Sequence, residues 1–210
     1  MAVADVDGDR KLDILTANYD SGTVSVRLGN GDGTFGGTTD VPVGSFPQDV
    51  TVADVNGDGA LDILSANYGG RSVSLRLGDG TGSFSGTTNI TFNSSVTGVT
   101  TADVNGDGKL DLIATLPFGK TIAVRLGDGN GGFGGTTDLL VGDSPGRVTT
   151  ADVNGDGRLD LLVANAFSGT VSVLLNTSTQ GLSFDPDSVS GATSGAAIGR
   201  AIDTTAPVLT

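Results

Sequence analysis

An all-β fold of stacked, four-stranded antiparallel sheets is what this sequence predicts, and three observations predict it. The 210-residue chain writes one stretch four times, at residues 5–13, 54–62, 103–111 and 152–160, each copy beginning 49 residues after the last without insertion or deletion. Between the copies lie short runs that alternate apolar and polar side chains and are rich in Val, Ile and Thr. Glycine bounds these runs too closely for helices to form. One four-stranded sheet cannot bury both of its faces alone, so successive units must stack face to face. A four-stranded unit of this length has the size of a propeller blade, and the expected architecture is a β-propeller with about four blades present.

Each unit reads as four strands in order. The first precedes the repeated loop, as in residues 49–53 and 98–102, where β-branched residues recur with period 2. The second follows the loop as an apolar run, residues 12–18 in the first unit and 159–165 in the fourth, and reads as a buried central strand. After a short turn comes the clearest alternation, residues 24–28, 73–77, 122–126 and 171–175. It sets Arg27, Arg76 and Arg125 on one face, where they are expected as solvated residues paired with nearby Asp, or else as a ring of charge facing a ligand. A glycine-studded turn then ends in Phe35, Phe84 and Phe133, and in a longer version in Phe184; these rings are expected to fill the space between units. A last strand, residues 38–43, 87–92 and 136–141, closes each unit, and Pro42 suits an outer edge.

The repeated loop carries the chemistry. Oxygen-bearing side chains stand at its positions 1, 3, 5 and 9: Asp5, Asp7, Asp9 and Asp13, then Asp54, Asn56, Asp58 and Asp62, then Asp103, Asn105, Asp107 and Asp111, then Asp152, Asn154, Asp156 and Asp160. Alternating carboxylates with one main-chain carbonyl and a water suit Ca²⁺, which takes six to eight oxygens in a flexible shell, better than Mg²⁺, which demands a strict octahedron. Lys11, Ala60, Lys109 and Arg158 at position 7 would give the carbonyl, since so mixed a set cannot ligate through its side chains. Glycine at positions 4 and 6 supplies the positive φ that a tight wrap requires. Arg10 breaks that rule at position 6 of the first loop, which is therefore expected to be the most strained.

Asp/Asn-Gly turns also make hairpins without metal, but a bare turn needs no third and fourth acid. Crowded carboxylates without a cation are electrostatically unfavourable. Two other calcium folds fail on spacing. An EF-hand needs a carboxylate at position 12 with a helix behind it, and that position holds Thr16, Ser65, Ala114 and Val163. A calcium β-roll repeats every nine residues or so.

Composition excludes several functions. There is no His, Cys or Trp, which removes imidazole- and thiol-based nucleophilic sites, zinc sites of those ligands and disulfides. The net charge of −13 comes from 24 acids, all Asp, against 11 bases. Thirteen of the acids lie in the loops, so four bound Ca²⁺ would offset most of the charge. No basic patch remains to neutralise nucleic-acid phosphates, and no apolar run is long enough to span a membrane. The residues that do not follow the repeat, Asp143, Lys120 and Arg147, form no recognisable catalytic constellation.

The sequence Ala-Asp-Val-Asn-Gly-Asp-Gly-Lys-Leu-Asp at residues 102–111, followed by a Gly-Asp-Gly-x-Gly-x-Phe turn, resembles the FG-GAP/VCBS repeats of bacterial secreted and surface proteins, relatives of the integrin α-chain propeller. The resemblance covers about residues 1–185. It implies that the Asp loop joins the first two strands of a blade and binds Ca²⁺, about four ions in all, and that the intact ring has seven blades. On that reading residues 1–186 form blades at about 1–45, 46–94, 95–143 and 144–186, an open arc rather than a closed four-bladed ring.

Residues 187–210 read as a flexible linker towards an immunoglobulin-like domain. Met1 aligns with Val50, Val99 and Val148 in mid-strand with no leader before it, so the chain is expected to be cut from a longer one. The functional expectation is a calcium-stabilised, non-catalytic module of a secreted or cell-surface protein, serving adhesion or the binding of a protein or carbohydrate, with open edges that can meet missing blades or another chain. The alternative is an accessory or catalytic part of a secreted polysaccharide- or phosphodiester-degrading enzyme.

Overall fold

The computed structural model describes residues 1–178 and 182–185. The expected linker at 187–210 lies outside them. The first blade comprises β1 (Ala2–Ala4), β2 (Asp13–Asn18), β3 (Thr23–Gly29) and β4 (Phe35–Pro42); the second β5 (Pro47–Ala53), β6 (Asp62–Asn67), β7 (Ser72–Gly78) and β8 (Phe84–Thr91). The third has β9 (Gly98–Ala102), β10 (Asp111–Leu116), β11 (Thr121–Gly127) and β12 (Phe133–Leu140), with a 3-10 turn at Pro117–Gly119; the fourth has β13 (Pro145–Ala151), β14 (Asp160–Asn165) and β15 (Thr170–Leu174). Every sheet is an antiparallel meander in chain order. In the fourth, a single bridge between Asn176 and Phe184 stands where the outer strand would begin.

The sheets stack as expected, because each carries two apolar faces. Leu15, Val24, Val26 and Val41 of the first blade are buried against Val50 and Ile63 of the second. Leu64, Val73 and Leu75 of the second meet Val99, Leu112 and Ala114 of the third. Ile113, Ile122 and Val124 of the third meet Leu161, Val163 and Leu174 of the fourth. Burying both faces removes water from far more apolar area than a single sheet could, at roughly 25 cal/mol per Å². Among the described residues no such cluster joins the fourth blade to the first, so the arc is open. The first strands of all four blades face a shared central space lined by Ala2, Val50, Val99 and Val148. Across it Arg147 donates to Asp49 at 2.9 Å.

Three expectations need correcting. The outer strands start at Phe35, Phe84 and Phe133, three residues earlier than the alternation suggests, because the register shifts opposite Arg27, Arg76 and Arg125. Those arginines form neither a solvated row nor a ring of charge. Arg76 is buried, donating Nε to Pro42 O of the first blade at 2.8 Å. Arg125 is buried over the Phe92 ring, 5.1 Å from its centroid, and pairs with Asp138 at 3.1 Å. Of the three, only Arg27 in the first described blade is exposed. Finally, Phe84, Phe133 and Phe184 pack against the preceding blade as expected, but Phe35 is exposed.

The serines of the third strands, which alternation alone marks as polar and outward, are also partly core. Asn67 Nδ2 donates to Ser72 and Ser74, and Gly44 N of the incoming connection donates to Ser74 Oγ at 3.0 Å. The fourth blade repeats this through Asn165, Thr170, Ser172 and Gly142. Ser65 supplies the hydroxyl near Asn67 Oδ1, and where Val163 takes its place Asn165 Oδ1 is buried without a partner. In the third blade Leu116 and Ala123 replace the network with apolar packing.

Glycine is required at the end of each complete third strand. A Cβ on Gly29, Gly78 or Gly127 would lie 2.2, 2.2 or 2.1 Å from the carbonyl oxygen of Leu12, Leu61 or Leu110. Gly127→Ala is expected to lower unfolding free energy by about 1–3 kcal/mol, since backbone must move to admit the methyl group. Urea denaturation measures this. An unchanged midpoint would show that the strand end shifts freely to admit a side chain.

Candidate metal centre

All four Asp loops fold on one hydrogen-bond plan. The carboxylate at position 1 accepts the N–H groups of positions 4 and 6: Gly8 at 2.8 Å and Arg10 at 2.7 Å onto Asp5, with the same pairs on Asp54, Asp103 and Asp152. Position 3 accepts the N–H of position 5, and position 5 that of position 7. Such bonds demand a backbone that turns left-handed twice, with φ of 76–79° at Gly8, Gly57, Gly106 and Gly155. Gly59, Gly108 and Gly157 provide the second turn, and Arg10 takes it too at φ 67°, the strained conformation expected of it.

Position 9 plays a part that the sequence did not disclose. Asp13, Asp62, Asp111 and Asp160 are fully buried. Oδ2 accepts the N–H of position 2 (Val6, Val55, Val104, Val153) at 2.8–3.0 Å, and Oδ1 that of Gly29, Gly78, Gly127 or Asn176 at 2.8–2.9 Å. One side chain thus ties the start of the loop to the end of the third strand. The only signal was the glycine 16 residues further on in three of the four units.

The oxygens of Asp5, Asp7 and Asp13 lie within 4.8 Å of one another. Two ligands of one Ca²⁺, each at about 2.3–2.6 Å, are separated by no more than about 5 Å, so the trio fits a single ion. Among the described residues no other three acids converge in this way, since Asn56, Asn105 and Asn154 put an amide at position 3 of the other loops. The position 5 acids turn elsewhere: Asp9 pairs with Lys11 at 2.8 Å, Asp156 with Arg158 at 2.6 Å, and Asp58 accepts Asn56 Nδ2 at 2.8 Å. The position 7 side chains of Lys11 and Arg158 therefore act as counter-ions in the first and fourth loops.

Electrostatics reflect the crowding. The Asp9 N–H pulls the Asp7 carboxyl down, but burial and the charges of Asp9, Asp13 and Asp5 outweigh it and the net shift is upward. Burial pushes Asp62 and Asp111 up, against the N–H donors that favour their charged forms. A raised folded value means that the charged form costs stability as pH rises past the ordinary 3.8. A bound dication reverses that sign.

The other non-repeating candidates do not assemble. Lys120 pairs with Asp143 at one rim, and Arg147 separately with Asp49 in the central space.

Compared with known families, residues 5–65, 54–114 and 118–163 match the FG-GAP-like repeat, and residues 95–134 match the FG-GAP repeat. The chain belongs to the FG-GAP repeat family. No curated protein matches its sequence. Solved structures give this FG-GAP chain its likeness in fold. An Agrocybe aegerita lectin, described as recognising non-reducing terminal N-acetylglucosamine, aligns at 22% identity and TM-score 0.58, over 88% of this chain and 50% of the lectin. The Vibrio cholerae biofilm matrix protein Bap1 aligns at 20% identity and TM-score 0.53, over 82% of this chain and 26% of Bap1. A putative 6-phosphogluconolactonase from Bacteroides uniformis aligns at 15% identity and TM-score 0.60, over 83% and 51%. The FG-GAP chain thus spans about half or less of the length of each, and at these identities the likeness is one of fold.

Proposed function

We propose that this chain is a calcium-stabilised, non-catalytic binding module of a secreted or cell-surface protein, and that it contacts carbohydrate through an aromatic rim. The observation that carries the reading is the division of its ten aromatic residues. Five belong to the interfaces between blades or the equivalent turn of the first: Phe35, Phe84, Phe92, Phe133 and Phe184. The other five, Tyr19, Phe46, Tyr68, Phe118 and Phe167, all stand in turns between second and third strands or in the connection from the first blade to the second. Because strands alternate in direction, these turns share the end of the arc opposite the Asp loops.

Phe118 and Phe167 are 70% and 88% exposed. Tyr19 stacks on Phe46 at 4.8 Å, and Tyr68 meets Phe118 at 6.1 Å. Ser21, Thr23, Ser168 and Thr170 lie beside them with hydroxyls at the surface. Rings flanked by hydroxyls suit a pyranose, whose C–H face is apolar and whose edge is polar. The acidic balance of the chain disfavours a polyanion. The lectin and biofilm-matrix neighbours support the reading as likenesses of fold.

Pull-down on insoluble neutral polysaccharides, with titration of the matching oligosaccharides, tests it. Phe118→Ala and Phe167→Ala are expected to weaken binding about five- to ten-fold each, leaving the melting temperature unchanged. Retention on no polysaccharide, or binding indifferent to both variants, would remove the carbohydrate assignment. Turnover of a polysaccharide or phosphodiester that is lost in Asp143→Ala would make the chain an enzyme instead.

A further inference from the structure

The rim opposite the Asp loops is also where the backbone is most often strained. Among the described residues five other than glycine adopt a positive φ, and four of them, Phe46, Arg71, Lys120 and Ser144, stand at this rim. Such conformations persist only where the surrounding structure or a function holds them. Lys120, at φ 50°, occupies the position of Gly22 in the first blade and Gly169 in the fourth, which reach 66° and 62° without steric cost. What the lysine adds is its ammonium group, 2.5 Å from Asp143, an acid that stands where the earlier connections have Ser45 and Ser94. A donor and its counter-charge thus enter the repeat together.

The junction of the third and fourth blades keeps the backbone of the junction between the first and second, and changes what fills it. Between the first two, Tyr68 N donates to Phe46 O at 3.0 Å. There the Phe46 ring stacks on Tyr19 and covers Gly69 so closely that a Cβ on that glycine would lie 2.3 Å from it. Between the third and fourth, Ala166 N donates to Ser144 O at 2.9 Å, so a serine stands where the ring was. Phe167 N donates to Asp143 O at 3.2 Å, which brings Phe167 beside the ion pair. Phe118, two residues before Lys120, is 70% exposed with a blade on either side of its own. The Lys120 and Asp143 side chains are 58% and 49% exposed, so the pair keeps N–H groups and oxygen lone pairs for a ligand.

We propose that the Lys120–Asp143 pair reads the hydroxyls of a neutral sugar stacked on Phe118, which makes this junction the specificity-determining part of the rim. The assignment rests on the carbohydrate reading of the aromatic rim. Two neighbouring hydroxyls of a pyranose offer donors and acceptors side by side, and an adjoining carboxylate and ammonium answer both, the one accepting and the other donating. The two charges cancel locally, so the pair itself does not favour an acidic sugar, and the net charge of −13 opposes one. Main-chain bonds position the lysine: its N–H donates to Pro117 O, and its carbonyl accepts Val141 N at 2.8 Å.

Isothermal titration calorimetry with cellohexaose, laminarihexaose, mannohexaose and chitohexaose, and with trigalacturonate as the acidic counterpart, tests the assignment. Wild type is expected to bind a neutral hexasaccharide and to ignore trigalacturonate. Lys120→Gly and Asp143→Asn are each expected to weaken the neutral sugar about ten- to 100-fold. Lys120→Gly removes the backbone strain together with the ammonium, and a half-exposed ion pair contributes little stability, so this variant is expected to melt at or above the wild-type temperature. Its loss of binding is then no loss of fold. Asp143→Asn frees the ammonium and is expected to gain trigalacturonate binding that Lys120→Gly lacks. Neutral-sugar binding that Phe118→Ala weakens but both pair variants leave intact would overturn the role of the pair and keep the aromatic rim. A trigalacturonate affinity that Asp143→Asn leaves unchanged would do the same. Wild type that binds none of the neutral hexasaccharides would overturn the proposal, and no retention on any polysaccharide would remove the carbohydrate reading with it.

Discussion

In excess chelator the protein is expected to melt roughly 10–20 °C below its value in about 2 mM calcium. If each loop holds Ca²⁺ with the 10⁻⁴ M class of affinity usual for extracellular modules, millimolar calcium adds about 1.4 kcal/mol per loop. Four loops then contribute about 6 kcal/mol, a large fraction of the stability of an ordinary domain. The effect is this large because the loops are not peripheral. The first three lie under the turn of the next blade, so an ion held there would organise a junction as well as its own turn. Scanning calorimetry at matched ionic strength measures it, and equal melting temperatures with and without chelator would show that hydrogen bonds alone hold these loops.

Asp111→Ala is expected to cost about 3–5 kcal/mol, more than any other single loop substitution in the third blade. Its two oxygens receive the N–H groups of Val104 and Gly127 at 3.0 and 2.9 Å in a fully buried setting. Truncation leaves both donors unsatisfied and detaches the loop from the third strand. A purely ligating residue would cost nothing in chelator, whereas this one is expected to cost most of its effect there too. Denaturation curves of wild type and variant, each with and without calcium, separate the two roles.

The repeat made the strand order and the position of every loop legible. A 49-residue period with no slippage fixes equivalent residues across units, and alternation then marks the strands. Alternation could not distinguish a residue facing solvent from one facing the next blade, because both faces of an inner blade are covered. Hence Arg76, Arg125 and Ser74 look outward in the sequence and are buried in the fold. The candidate metal-binding side chains of the loops were legible as a spacing of oxygens. The anchoring work of Asp13 and its equivalents was not, since their donors lie on a strand that only folding brings near. Tyr19 and Phe167 stood in plain view as turn residues, but what groups them is strand direction, which becomes meaningful only once the sheets are built.

The cap that each turn places on the preceding loop also gives the array a direction in time. On a ribosome, Val6 waits for Gly82 and Val55 for Gly131 before their carbonyls are taken up. Each of the first three loops can therefore be completed only after the next unit has been made.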